Sequence, residues 1–459
     1  MTAQTILPAN TLSSGYDVAN SARFNDGDSA YMNLTSVSTV TNRLKFTISL
    51  WVKRSTLGAK SMIGTVGGDN TNFGAIWFDS NDKLNCTEGS GGGELNFITN
   101  RVFRDVSAWY HIVLAIDTTQ GTESNRVKIY VNGVQETSFG TSTYPSQNSN
   151  MHLNRGGKAQ YLGRHTDSSN DYYFDGYMAE VVWIDGSQEA VTSFGEFDED
   201  SPQIWKPIDV SGLTFGNNGF YLDFEDSANL GNDVNGGTDW TENNFAATDQ
   251  STDTCTNNFC TLNPLVKTDQ ITFSEGNCKW SNHASNDDTG GGIGTFGVTK
   301  GKWYFEVKLL AQSGNHTHGV ISEFTNTNQQ ALQNKTGVTS WRNSDGGEVS
   351  VDGTVGDEDY GIMAQDSIMG IALDIDNYNI SFYDDNTALA SDINMSSTRG
   401  TIFPCITAGL GTTAEVNFGG CSAFAVSSAE SDANGYGNFE HAPPSGYYAL
   451  CTKNLAEFG

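Results

Sequence analysis

Basic residues are scarce in this sequence. Its 24 lysines and arginines stand against 54 aspartates and glutamates, giving a formal net charge of −30 and a pI near 4.3. That shortage excludes a nucleic-acid footprint, which needs clustered positive charge. It equally disfavours docking on anionic lipid. No apolar run is long enough to cross a membrane as a helix, and no heptads or fibrous repeats announce a long shaft. Met1 to Asn10 has neither a basic segment nor an apolar segment of the kind that directs secretion, so no signal peptide is expected. The seven cysteines, Cys86, Cys255, Cys260, Cys278, Cys405, Cys421 and Cys451, are odd in number and scattered. That pattern excludes a secreted disulfide framework and leaves reduced core thiols as the expectation.

What the chain does contain is turn chemistry. Glycine reaches 51 of 459 residues, while charged residues make only 17%, against about 25% in an average domain. Asn, Ser and Thr fill the gap, as in a loop-rich β protein. The stretch Ser107 to Gln135 shows the logic. Ile112, Leu114 and Ile116 fall on one face of a strand, with Val113 and Ala115 on the other. Val127, Ile129 and Val131 then alternate with Lys128 and Tyr130, which is the period of a paired strand. Asn132-Gly133 is the dipeptide that a type I′ hairpin prefers. Farther on, Ser367 to Asp376, a turn at Asn377-Tyr378-Asn379 and Ile380 to Tyr383 repeat the pattern. Phe46, Ile48, Leu50 and Val52 share one face of another strand. A short helix is expected near Gln188 to Phe194.

These signals predict an all-β chain of two antiparallel β-sandwich, jelly-roll-like domains in tandem. The expected boundaries are an N-terminal arm at 1–20, a first sandwich at 21–235, a loop-rich linker at 236–270 and a second sandwich at 271–459.

Particular residues carry two resemblances. Phe46 to Lys53, Trp109-Tyr110-His111, Val127 to Gly133, Tyr161-Leu162-Gly163 and Asp175 to Val181 together resemble the concanavalin A-like, laminin-G-type jelly roll. Members of that family often have Asp before the Glu of the closing strand; here the position is Ala179. Lys302 to Lys308, the Gly370-Ile-Ala-Leu-Asp374 strand and the Phe403-Pro404 strand resemble, in that order, the SPRY (B30.2-like) sandwich. The combination is similar to tail-fibre and surface proteins of marine tailed phages. That resemblance implies a virion surface protein, released by lysis without an export signal. The implied partners are other virion proteins and a host cell-surface glycan or protein, with no nucleic acid and no membrane insertion. It also implies a homo-oligomer, a trimer being the usual state.

Catalytic signatures are absent or broken. Glu196-Phe197-Asp198-Glu199-Asp200 begins like a glucanase carboxylate strand but has Ser201 where the last acid belongs. Gly297 to Trp303 is one residue short of a phosphate loop and precedes a strand. The expectation is therefore no enzyme and no catalytic residue. On a strand, His316 and His318 would share a face and, near a fibre axis, could hold a metal ion. Flanking Gly314 and Gly319 favour loop histidines instead. Cys255, Cys260, Cys278 and His283 have a spacing faintly like a zinc site. No cofactor is expected. Calcium is the one ion suited to the acidic turns Asn25 to Asp28, Asp352 with Asp357 to Asp359, and Asp384-Asp385. Trp77, Trp341, Tyr172 and Tyr173 are candidates for stacking on sugar rings, whereas Trp51, Trp183 and Trp303 read as core. The expected role is a non-enzymatic short tail fibre or decoration that binds receptor or glycan. A purely structural joint and a glycan depolymerase remain the alternatives.

Overall fold

Alternation of apolar side chains along short strands builds two separate cores. The computed structural model describes residues 15–459 except 67–72, 90–93, 167–170, 283–289, 312–315, 324, 326–333, 344–345, 357, 396–398 and 410. The first unit runs to Gln250 and includes Thr254–Thr256; the second takes Ser251–Asp253 and Asn257–Gly459. Both are antiparallel β-sandwiches.

In the first unit, one sheet runs in the order Val134–Gln135, Val127–Val131, Trp109–Asp117, Lys45–Arg54, Gly176–Asp185 and Ser21–Phe24, with Phe220–Leu222 also pairing to Gly176–Asp185. The other has eight strands: Phe139–Thr143, Leu95–Val102, Lys83–Glu88, Gly74–Phe78, Lys60–Val66, Ala159–Leu162, Tyr31–Thr35 and Thr241–Asn243. Phe46, Ile48, Leu50, Val52, Ile112, Leu114, Ile116, Val127, Ile129 and Val131 all enter the core between them. Asn132 and Gly133 have φ of 48° and 77°, the positive values a type I′ turn needs.

In the second unit, one sheet orders Leu262–Lys267, Gly290–Gly294, Ile402–Ala408, His316–Ser322, Val338–Arg342, Glu348–Val351 and Thr354–Val355. The facing sheet orders Ile271–Ser274, Lys279–Asn282, Thr413–Asn417, Lys302–Ala311, Ile368–Asp374, Asn379–Asp384 and Thr387–Asn394. Trp280, Trp303, Phe305, Val307, Ile371 and Phe382 lie in its core.

Three stretches differ from the sequence reading. The segment 236–270, read as a linker, is divided between the two units. Trp240 is buried in the first core, edge-on to Phe220 at 4.8 Å, and Thr241–Asn243 pairs with Tyr31–Thr35. Leu262–Lys267 pairs with Gly290–Gly294 in the second unit. Its richness in Asn, Asp and Thr misled because these side chains cap turns here: Asp239 accepts from the Asp233 N–H and Asp249 from the Ala246 N–H. Of the expected arm, residues 1–14 lie outside the described residues, and Val18 is buried while Tyr16 hydrogen-bonds Tyr221. The helix expected near Gln188 to Phe194 is a single 3-10 turn, Val191–Ser193. Among the described residues, no helix is long and apolar enough to cross a membrane.

Candidate functional site

An aromatic band covers the outer face of the first unit's sheet that holds Tyr31–Thr35, Gly74–Phe78 and Ala159–Leu162. Met32, Ile76, Phe78 and Leu162 point into the core. Alternation therefore sends Tyr31, Trp77 and Tyr161 outward, and each is partly exposed. A hairpin of Arg164–Thr166 and Asp171–Tyr173 lies over this face. Gly64 makes room for it: a Cβ there would meet the Arg164 carbonyl oxygen at 2.6 Å.

The hairpin completes two aromatic groups. On one side Tyr172 lies 6.2 Å from Trp77, His165 stacks on Tyr172 at 6.2 Å, and Phe73 is 5.3 Å from His165. On the other, Tyr31 is 5.9 Å from Tyr161 and 6.2 Å from Tyr173. The Arg164 guanidinium sits 4.7, 5.3 and 5.7 Å from the rings of Tyr31, Tyr161 and Tyr173, and pairs with Asp171 at 3.1 Å. Beside them the Asn243 amide donates to the Asn33 side-chain oxygen at 2.7 Å. Rings with apolar faces beside amide and hydroxyl groups suit the two faces of a sugar, one apolar and one polar.

Of the sequence candidates, Trp77 and Tyr172 are thus brought together, while Tyr173 joins Tyr31 in the second group. Trp341 is not: it is buried in the second core, because its strand turns that side inward. Trp51, Trp183 and Trp303 are buried. Phe73, His165, Tyr31, Tyr161 and Arg164 were missed as site residues. The available signal was Tyr161 beside Leu162: if Leu162 faces in, Tyr161 faces out.

The remaining candidates resolve differently. Glu196 and Asp198 lie on or beside a small hairpin, 3.2 and 3.4 Å from the Lys206 ammonium. Asp198 also accepts from the N–H groups of Asp200 and Ser201. In the stretch Gly297 to Trp303, Val298 bridges Ile402, Gly301 turns the chain at φ 85°, and Lys302 and Trp303 already open the strand Lys302–Ala311, the Trp303 indole donating to the Lys300 carbonyl. Cys255 falls in the first unit and Cys260 and Cys278 in the second, while His283 lies outside the described residues. Among the described residues none of the seven cysteines is in a disulfide. The acidic turns are bound to their own fold: Asp26 pairs with Lys60, Asn25 donates to Asp28, Asp352 accepts from Gly337 and Asp385 from Ile368. Asp357 lies outside the described residues; Glu358 and Asp359 are exposed. Among the described residues no three His, Cys, Asp or Glu side chains converge as metal ligands. His316 and His318 are not loop residues. They open the strand His316–Ser322 and are buried, which removes them from any axis between copies.

Two facing sheets in each unit define sandwich modules in tandem. Residues 26–190 match the profile described as the concanavalin A-like lectin/glucanases superfamily, of the laminin G type, and residues 302–421 match the SPRY domain. The chain thus carries a laminin-G-type, concanavalin A-like domain followed by a SPRY domain. Among solved structures, the SPRY domain of human HERC1 is similar at 14% identity and a TM-score of 0.29, covering 36% of this chain and 99% of that one. A candidate carbohydrate binding protein from Bacteroides ovatus ATCC 8483 is similar at 17% identity and a TM-score of 0.34, covering 50% of this chain and 60% of that one. A search of curated protein sequences gave no match.

Proposed function

We propose that this chain is a non-enzymatic surface protein of a tailed-phage particle, a short tail fibre or decoration, that binds a host-surface glycan. The observation that carries the binding role is the band formed by Trp77, Tyr172, Tyr31, Tyr161 and Tyr173 on one sheet face. The net charge of −30 favours an uncharged glycan over an acidic one. The virion setting rests on the resemblance of the domain pairing to phage surface proteins. Other virion proteins are its proposed partners, and assembly as a homo-oligomer, a trimer by analogy, would multiply weak contacts into avidity.

The test is a glycan array and a host-cell binding assay with the full chain and with Trp77→Ala and Tyr172→Ala. Binding by the parent chain, weakened roughly two- to tenfold in each variant without loss of stability, is expected; stacking on one ring contributes about 0.5–1.5 kcal/mol. A blank array and no cell binding would favour a structural joint. Release of oligosaccharide from envelope polysaccharide by the pure protein would overturn the non-enzymatic reading.

A further inference from the structure

We propose that His316 and His318 form a copper(I) site inside the second unit's sandwich. The two residues alternate with Thr317 along the strand His316–Ser322 and share the inward face with Val320, a core residue. Their rings are 5.0 Å apart. Trp341, the Cα partner of His318 on the neighbouring strand, lies 6.0 Å from His316. Trp280, from the facing sheet, lies 6.0 Å from His318.

The second observation is that this cluster is unpartnered. His316 and His318 are 1% and 0% exposed. Both ring nitrogens of each lack a hydrogen-bond partner among the described residues, as do the indole nitrogens of Trp280 and Trp341 and the amide nitrogen of Asn343. Native interiors pair the large majority of such groups. Two touching imidazoles with all ring nitrogens unpaired are the reverse of the structural use of histidine seen in the first unit. There His111 is bonded at both nitrogens, to Ser49 and Trp205.

Charge selects the ion. A neutral imidazole binds a metal through its lone pair without losing a proton, so the two buried rings bring no negative charge to the site. No third His, Cys, Asp or Glu joins them among the described residues. A site with no anionic ligand leaves the ion's whole charge in the interior. Desolvation grows with the square of that charge, which favours a monovalent ion over zinc(II) or copper(II). Imidazole suits copper, and metal–nitrogen bonds of about 2.0 Å let rings at this separation converge on one ion.

The full-length protein, titrated anaerobically with copper(I) against bicinchoninate, is expected to take one ion per chain with quenching of tryptophan fluorescence. X-ray absorption should show nitrogen scatterers with the imidazole pattern and no sulfur. His318→Asn should weaken uptake about tenfold or more. Sulfur scatterers would assign the copper to a cysteine and overturn the proposal, as would no uptake or zinc(II) binding in preference. Should the variant fail to fold, the absorption spectrum of the parent protein decides alone.

Discussion

Replacing Glu180 by Gln should make the protein more stable, and only where the pH is high. Glu180 lies on the strand Gly176–Asp185, which pairs with Lys45–Arg54. Ala179 faces Trp51 and the next registered pair is Val182 with Ser49, so the strand bulges between them. Glu180 takes the extra position at φ 49°. Its side chain is buried and accepts the Tyr221 hydroxyl at 2.8 Å, and that hydroxyl lies 2.9 Å from the Tyr16 hydroxyl. Burial pushes the carboxyl up to about 8 from an ordinary 4.5, the Tyr221 bond offsetting only part. The native state thus holds this proton more tightly than the unfolded chain. Stability from the group is complete below 4.5 and is lost as pH rises through 8. Each unit of difference is worth about 1.4 kcal/mol, so the loss is roughly 2 kcal/mol by pH 6 and 3 or more by pH 7. Gln keeps an oxygen for Tyr221 and has no proton to lose. Guanidinium unfolding at pH 5 and pH 8 should find the variant within about 1 kcal/mol of the parent at pH 5. At pH 8 it should be several kcal/mol more stable, with hydrogen exchange placing the gain on Gly176–Asp185. Equal destabilisation at both pH values would refute the reasoning, because the effect would then not depend on the proton of the carboxyl.

His111 should act with the opposite sign. Its Nδ1 accepts from the Trp205 indole at 2.9 Å while Nε2 meets the Ser49 hydroxyl, and burial pushes it down to about 3 from 6.5. Here the unfolded chain binds the proton more tightly, so stability should fall as pH drops from 6.5, by on the order of 2–3 kcal/mol by pH 4.5. His111→Asn, which keeps an acceptor near Nδ1, should flatten that limb in a pH series of denaturant midpoints; an unchanged slope would refute the assignment. Gly195→Ala tests the seat of the same tryptophan. A Cβ there would meet the Trp205 ring at 2.6 Å and the Lys206 carbonyl at 2.7 Å, so a loss of about 1–3 kcal/mol is expected from overpacking. No loss in the melting curve would mean that the ring shifts freely.

Strands were legible wherever one face is apolar and the other polar. Phe46 to Val52 and Trp109 to Val131 announce their inward residues by period two alone, and Asn132-Gly133 announces its turn by the φ it can adopt. Legibility stops where the interior is polar. Trp77 and Trp341 look alike in sequence, one between Ile76 and Phe78, the other between Ser340 and Arg342. Trp77 faces out because its neighbours are core; Trp341 faces in because Val338–Arg342 pairs with His316–Ser322, which pairs with Ile402–Ala408. That register joins segments far apart in the chain, and no local window contains it. The same pairing turns His316 and His318 from apparent loop residues beside glycine into interior ones. Glu180 is hidden for a related reason: hydropathy marks it as surface, and only the bulge and the Tyr221 cover put it inside. Polar groups placed against the hydropathy pattern need long-range pairing to hold them. They are therefore the least readable residues in sequence, and here they are also the ones whose titration and ligand chemistry the structure makes testable.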